Sequence, residues 1–189
     1  RPTQSPRPPF WVAAVSSPES FAGAARLGHG VMGVPLFGPK MKEMMATYRE
    51  SWKEAGHPGN GRIMLMFHMF CWPDEREAHD LAREPINRYI ASLVDAGSDW
   101  TGGTSSDDYP GYDKLMENIA KDNFESCLAR GAAWIGTPKQ IIDQMKTFQS
   151  EIGGVDVASF QINFSDFPVD LASKSIELYS KEVMPHFLD

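Results

Sequence analysis

The fold of this chain is decided by residues 10–20, which read FWVAAVSSPES. The apolar run 10–15 is short enough to be a strand buried on both faces, as in a parallel sheet. Ser17 and Pro18 then predict the start of a helix, because serine caps helix N-termini and proline suits the first helical position. A strand that leads directly into a helix is the unit from which parallel α/β folds are built.

The same alternation continues along the chain. Further strands are predicted at residues 30–34, 62–71 and 155–164, and helices at 18–27, 39–56, 73–96, 111–130, 138–153 and 168–182. Residues 1–9 contain four prolines and predict an extended arm, and the polar residues 97–110 predict a long loop. Four strands are half of the eight in a (β/α)₈ barrel. We therefore expect one α/β domain over residues 1–189 and, since the chain begins with Arg1 and no Met, a fragment of a longer chain.

Composition excludes several classes of protein. The 189 residues carry a formal charge of −7, which argues against a nucleic-acid partner because phosphate binding needs clustered Lys and Arg. No apolar run approaches the ~20 residues that span a bilayer, and residues 10–15 are too short for a signal peptide, so we expect no membrane partner. Cys71 and Cys127 lack ligand-like spacing and are typical of reduced, packed thiols. We therefore expect a cytoplasmic protein.

Other patterns indicate packing rather than chemistry. Met41, Met44, Met45, Tyr48 and Trp52 recur at helical spacing and predict a buried helix face. The charged residues of the same helix, Arg49 among them, predict a solvated face. Trp11 and Trp134 could wall a flat ring, but aromatic residues near strands are more often core. Rossmann, P-loop and hydrolase-elbow motifs are absent from the sequence.

Several short motifs together resemble one family. They comprise residues 4–20, 24–28, 30–32, 136–138, 153–156, 175–178 and 183–185. Their order and spacing resemble the bacterial luciferase-like flavin-dependent monooxygenases over essentially the whole chain. The resemblance places the chain in the C-terminal half of the family's barrel, strands five to eight, so that residues 10–189 would form four βα units and the N-terminal half would be absent.

The resemblance also implies a function. The intact enzyme would take reduced FMN from a separate flavin reductase and use O₂ to oxygenate a small organic substrate. Some relatives instead use the deazaflavin F420 and transfer hydride, which leaves an F420-dependent oxidoreductase as an alternative. A second alternative is a non-catalytic half-barrel, which would self-associate as a homo-oligomer or pair with a missing N-terminal half, because open strand edges and an apolar inner face promote association.

The turn at residues 16–20 is the strongest candidate site. A helix N-terminus offers free N–H groups and a positive dipole, and serine hydroxyls add donors for a phosphate. By the resemblance this turn would hold the FMN phosphate, with Ser17 and Ser20 first and Ser16 next; simple helix capping is the alternative. Gly33 and Val34 resemble a family position where backbone lies close to the flavin.

Catalytic residues are otherwise unknown, and His68 is the one candidate. It lies inside an apolar strand, where alternation places it on a face with Met66 and Phe70, and it could contact flavin or substrate or donate a proton. A hydrogen-bonded core histidine is the competing interpretation. The aspartates at 107, 108 and 113 lack EF-hand order and the remaining histidines lack ligand spacing, so we predict no metal.

Overall fold

The computed structural model describes residues 3–15, 17–35, 39–101 and 114–188. Its strands are β1 (Trp11–Ala13), β2 (Gly30–Gly33), β3 (Ile63–Cys71), β4 (Ala133–Gly136) and β5 (Val157–Gln161). Its helices are α1 (Pro18–Arg26), α2 (Pro39–Glu54), α3 (Glu75–Thr101), α4 (Leu115–Ile119), α5 (Phe124–Ala129), α6 (Pro138–Ile152) and α7 (Val169–Glu182), followed by a 3₁₀ turn at Met184–His186. The strand–helix alternation and the parallel pairing of β1 with β2, β2 with β3 and β3 with β4 confirm the α/β class.

The chain divides into two compact units, residues 1–66 with 149–159, and residues 67–148 with 160–189. The expectation of one domain over residues 1–189 stays a prediction. In the first unit, Val31 N–H donates to the carbonyl of Arg62 at 3.0 Å, and Asp156 N–H donates to the carbonyl of Ile63 at 2.9 Å. Successive residues of a strand direct their backbone groups to opposite edges. The strand order in this unit is therefore β1-β2-β3-β5.

The first unit is packed on one face of its sheet. Val31, Ile63 and Leu65 are at most 1% exposed, and they share a face because Val31 pairs with Ile63. Helices α1 and α2 contact each other, and the predicted stripe on α2 is buried at Met41, Met44, Met45 and Tyr48. The interpretation of that stripe as core is confirmed.

The second unit contains a strand that the sequence did not predict. Residues His68 to Cys71 of β3 pair with Ala133 to Gly136, which form β4. Trp134 is 2% exposed and stacks on Phe67 with 3.8 Å between ring centroids, so its interpretation as core is confirmed. The prediction of one helix over 111–130 is wrong. The structure has two short helices, α4 and α5, followed by strand β4.

Other boundaries differ by less. The loop expected at 97–110 begins later, because residues 97–101 continue α3; residues 102–110 lie outside the described residues, as do the aspartates at 107, 108 and 113. Residues 3–9 contain no helix or strand, in agreement with the predicted arm. None of the helices that the structure describes is both long and apolar enough to cross a membrane.

Candidate functional site

The turn between β1 and α1 has the predicted geometry. Ser17 is the N-cap, in extended conformation with φ −93° and ψ 115°, and Pro18 is the first helical residue. The Ser17 Oγ accepts a long hydrogen bond from Ser20 N–H at 3.4 Å. Ser16 lies outside the described residues. The hydroxyl of Ser17 and the N-terminal turn that contains Ser20 thus lie together at the carboxyl end of β1.

An acidic side chain also lies at this helix N-terminus. Glu19 is exposed, and the Ser17 hydroxyl donates to its Oε2 at 3.4 Å. A carboxylate in the first turn is favoured by the helix dipole, so the turn stabilises itself without a ligand. An anionic ligand would compete with Glu19 for the Ser17 hydroxyl and for the dipole.

Gly33 lies beside this turn. Ala14 N–H donates to the carbonyl of Met32 at 2.9 Å, which holds the carboxyl ends of β1 and β2 side by side. A Cβ atom added at Gly33 would lie 2.9 Å from the carbonyl oxygen of Ala14, closer than side-chain atoms approach. Only glycine fits there. Val34 follows and is half-buried. The structure therefore brings Gly33 and the Ser17 turn to the same strand ends.

His68 belongs to the second unit. Its imidazole meets the rings of Tyr89 and Phe164 edge-on, with centroids 5.0 Å and 5.5 Å away. Nδ1 is buried and has no hydrogen-bond partner among the described residues. Burial lowers the pKa of His68 to about 4, so the ring is neutral at physiological pH. Nδ1 therefore makes no hydrogen bond within the described residues, and the choice between a site residue and a core histidine stays a prediction.

A polar cluster in the first unit was not predicted from the sequence. Arg49 Nη2 donates to Asp156 Oδ2 at 2.9 Å, and the same oxygen accepts from the N–H of Ile63 at 2.7 Å. Arg49 also donates to the carbonyls of Asn60 and Gly61. Arg49 is thus not on a purely solvated helix face. The motif at residues 153–156 drew attention to Asp156 in the sequence. Nothing in the sequence indicated that Asp156 contacts Arg49 of α2.

This cluster lines an open cavity of about 430 Å³, formed by Arg49, Asn60 and residues 153–156. Ile63 and Asp156 lie at the amino ends of β3 and β5. In (β/α)₈ barrels the active site lies at the carboxyl ends of the strands, whereas residues at the amino ends contribute to stability. The guanidinium already donates to three acceptors, so we assign the cluster to fixing β5 against β3.

The remaining titratable groups form no second site in the part of the chain that the structure describes. No group of three or more His, Cys, Asp or Glu residues there is arranged to hold a metal. Cys71 and Cys127 are free and buried. Burial raises the pKa of the Cys71 thiol to about 12, which leaves it protonated and unreactive.

The parallel strands, the alternating helices and a capped helix N-terminus at the carboxyl end of β1 define a protein of the (β/α) barrel type, in which ligands bind at that end of the strands. Residues 1–154 match the luciferase-like monooxygenase family, and the chain belongs to it. This confirms the resemblance drawn from the sequence motifs.

A curated relative and two solved structures give the extent of the likeness. The oxygenase component of the flavin-dependent trigonelline monooxygenase of Acinetobacter baylyi is 27% identical over 192 residues, covering 99% of this chain and 51% of its own. The oxygenating constituent of 3,6-diketocamphane monooxygenase of Pseudomonas putida, solved with FMN, is 23% identical with a TM-score of 0.69, covering 94% of this chain and 48% of its own. The F420-dependent tetrahydromethanopterin reductase of Methanopyrus kandleri is 18% identical with a TM-score of 0.58, covering 95% and 51%.

The chain spans about half the length of the relatives it matches. The expectation of half a barrel agrees with this coverage, and its assignment to the C-terminal half stays a prediction. At these identities the two solved structures establish the fold alone.

Proposed function

We propose that the chain is part of a flavin-dependent monooxygenase that uses reduced FMN and O₂ to oxygenate a small organic substrate. The observation that carries the proposal is the N-terminus of α1, capped by Ser17 and placed beside Gly33 at the carboxyl ends of β1 and β2. The family supports the same reaction class. The flavin-dependent relative is named as an oxygenase component, which supports a separate reductase as the source of reduced flavin.

The residues of the turn fit the FMN phosphate. Ser17 and Ser20 would donate hydroxyl hydrogens to its oxygens, with Ser16 as a further donor, and the N–H groups and dipole of α1 would add to its binding. The backbone of Gly33 and Val34 would lie close to the flavin. A side chain at Gly33 would not fit, because its Cβ would meet the Ala14 carbonyl oxygen. When bound and reduced, FMN supplies the electrons for the reaction with O₂.

The carboxylate of Glu19 opposes phosphate binding at this turn. Its carboxylate holds the Ser17 hydroxyl, and a phosphate at the same helix end would be repelled by it. Because Glu19 is exposed, its side chain can turn towards solvent when the phosphate binds. We therefore expect Glu19→Gln to tighten FMN binding, whereas a purely structural cap would leave it unchanged.

His68 would act on the substrate as a neutral group. Nδ1 is buried and unpartnered, which favours the tautomer with its proton on Nε2, because an unpaired buried N–H is rarer than an unpaired acceptor. The ring then offers one hydrogen-bond donor, held in place by Tyr89 and Phe164. Hydrogen-bond donation to a substrate oxygen is the role we propose for it.

Two alternatives to an FMN-dependent monooxygenase are consistent with the same fold. F420 also carries a phosphate, and the likeness to an F420-dependent reductase supports it as the alternative cofactor. A chain that binds no flavin would be a non-catalytic half-barrel. In either case we propose that the chain forms a homo-oligomer or pairs with an N-terminal half-barrel. We further propose a cytoplasmic location, supported by the two free, buried thiols.

Flavin titration tests the proposal. FMN, riboflavin and F420 are titrated into the 189-residue chain, and the dissociation constants are measured from fluorescence. We expect FMN to bind at least about tenfold more tightly than riboflavin, which lacks the phosphate, a difference of about 1.4 kcal/mol. Tighter binding of F420 than of FMN would favour the hydride-transfer alternative, and equal binding of FMN and riboflavin would refute the phosphate site.

A further inference from the structure

A tight turn in the second unit packs over His68. Phe167 N–H donates to the carbonyl of Phe164 at 3.3 Å, which closes a β-turn over residues 164–167. Phe164 and Phe167 are 0% and 3% exposed. The ring of Phe164 lies 5.5 Å from that of His68, and the ring of Phe167 lies 4.9 Å from that of Phe70, measured between centroids. Since His68 and Phe70 alternate with Met69 along β3, both ends of the turn pack on the same face of that strand.

The exposed tip of this turn contains a strained residue. Ser165 has φ 58°, and among the described residues it is the one non-glycine residue with a positive φ. A positive φ at the second position of a β-turn is typical of the primed types, which favour Gly, Asn and Asp there. Residues in this conformation persist where the surrounding structure holds them, and they cluster at active sites and switch regions. The closed turn therefore contains strain that its opening would release.

An ion pair connects the same tip to helix α3. Arg88 Nη2 lies 3.0 Å from Asp166 Oδ1, and the two side chains are 49% and 63% exposed. The next residue of α3, Tyr89, meets the imidazole of His68 edge-on with 5.0 Å between centroids. His68 is thus enclosed by Tyr89 and by Phe164, and the ion pair joins the two elements that carry them. Because an exposed ion pair contributes little to stability, it can break and re-form while the rest of the unit stays folded.

The turn covers a polar group that the closed structure leaves unpaired. Nδ1 of His68 is buried and has no hydrogen-bond partner among the described residues. A buried polar atom without a partner costs free energy, and such an atom in a native structure needs an explanation. Displacement of the Phe164 ring would give this side of the imidazole access to a ligand.

We propose that residues 164–167 form a gate over His68, held closed by the ion pair of Arg88 with Asp166. When the ion pair breaks, the turn opens, Ser165 leaves its strained conformation and a substrate can reach the imidazole. The inference rests on the proposed function for its purpose, because His68 is the group proposed to bind substrate, but the gate itself does not depend on flavin. A gate in a chain that binds no FMN would support the inference and refute the cofactor; FMN binding without a gate would do the opposite.

Acylation of His68 measures how often the gate opens. Diethyl pyrocarbonate acylates an unprotonated imidazole nitrogen that it can reach, and peptide mass spectrometry gives the rate at each histidine separately. His186 is exposed in the same unit and serves as the internal reference. We expect His68 to react at least about tenfold more slowly than His186. Equal rates at the two histidines would show that the turn does not cover His68 and would overturn the proposal.

Asp166→Asn removes the charge that holds the gate and keeps the size of the side chain. We expect His68 to react about two- to fivefold faster than in the unsubstituted chain, as loss of an exposed ion pair allows. Arg88→Gln should have the same effect. The double variant should react no faster than either single variant, because both substitutions remove one and the same contact. Additive effects of the two substitutions would refute the ion pair as the element that holds the gate.

Arg76→Gln is the matched control for loss of charge on α3. Arg76 lies 3.8 Å from Asp80 in the same helix, and its side chain is 92% exposed. This variant should leave the acylation rates of His68 and His186 unchanged. An increase at His68 equal to that of Arg88→Gln would mean that any loosening of α3 exposes the imidazole, and it would overturn the gate.

Ser165→Gly should act in the opposite direction. Glycine adopts a positive φ without steric cost, so the substitution favours the closed turn. We expect His68 to react about two- to fivefold more slowly than in the unsubstituted chain, with His186 unchanged. A substitution that only destabilised the unit would raise the rate instead. Faster acylation of His68 in Ser165→Gly would therefore contradict the proposal that strain at Ser165 favours opening.

Discussion

Substitution of Asp156 tests how β5 is fixed against β3. One oxygen of its carboxylate accepts from the buried Ile63 N–H at 2.7 Å and from Arg49 at 2.9 Å. In Asp156→Ala the Ile63 N–H loses its acceptor, which costs about 1–3 kcal/mol. The ion pair adds little, about 0–1 kcal/mol, because the Arg49 and Asp156 side chains are 25% and 38% exposed. The free energy of unfolding should therefore fall by about 2–3 kcal/mol, and Tm by roughly 5–10 °C.

Asp156→Asn separates the two contributions. The amide oxygen still accepts from Ile63 while the charge is lost, so we expect a fall of about 1 kcal/mol or less. Asp143→Ala is the matched control, since Asp143 pairs with Lys139 at 2.6 Å on an exposed face of α6 and should change stability by less than about 0.5 kcal/mol. Urea unfolding followed by circular dichroism measures all three variants. Equal losses for Asp156→Ala and Asp156→Asn would refute the argument that the Ile63 bond dominates.

Two further predictions follow from buried titratable groups. Burial lowers the pKa of His68 to about 4, against 6.5 in the unfolded chain, so the unfolded state binds more protons between these values and stability falls as pH falls through that window, by at most about 3 kcal/mol. His68→Gln should reduce this loss when urea midpoints at about pH 7 and about pH 5 are compared, and an unchanged loss would contradict the assignment. The pKa of Cys71 is raised to about 12, so its thiol should resist an aromatic disulfide reagent in the folded chain and react after unfolding; rapid labelling of the folded chain at Cys71 would show that the thiol is not buried.

Local signals in the sequence predicted the parts of the fold that depend on neighbouring residues. Ser17-Pro18 and Thr137-Pro138 each place a capping side chain before a proline, and both helices start there. At Thr137 the cap is reinforced by Gln140, whose side chain accepts from the N–H and hydroxyl of Thr137. Such bonds lie within one turn, so the sequence alone carries the information.

Parts that depend on distant residues were missed. Strand β4 is four residues long and is defined by its pairing with β3, more than sixty positions earlier. A loop was predicted from residue 97 onwards, yet residues 97–101 continue α3. The capping box of Asn123 and Ser126 was a local signal that would have separated α4 from α5.

The residues of the candidate site also separate into those held by local bonds, which could be predicted, and those held by distant contacts, which could not. The Ser17 cap could be predicted because its bond to Ser20 is local. The close approach of Gly33 to Ala14 depends on the pairing of two strands, so residue type alone gave only a weak indication. Arg49 and Asp156 are 107 positions apart, and each was typical of an ordinary surface charge until the fold joined them.

The double variant Ser17→Ala/Ser20→Ala tests the central claim most directly. FMN is titrated into the unsubstituted chain, the double variant and the control Ser173→Ala. The Ser173 hydroxyl donates to the Val169 carbonyl in its own helix. We expect the double variant to bind FMN at least about tenfold more weakly and the control to bind FMN as the unsubstituted chain does. Equal FMN affinity in all three proteins would contradict a phosphate site at the N-terminus of α1.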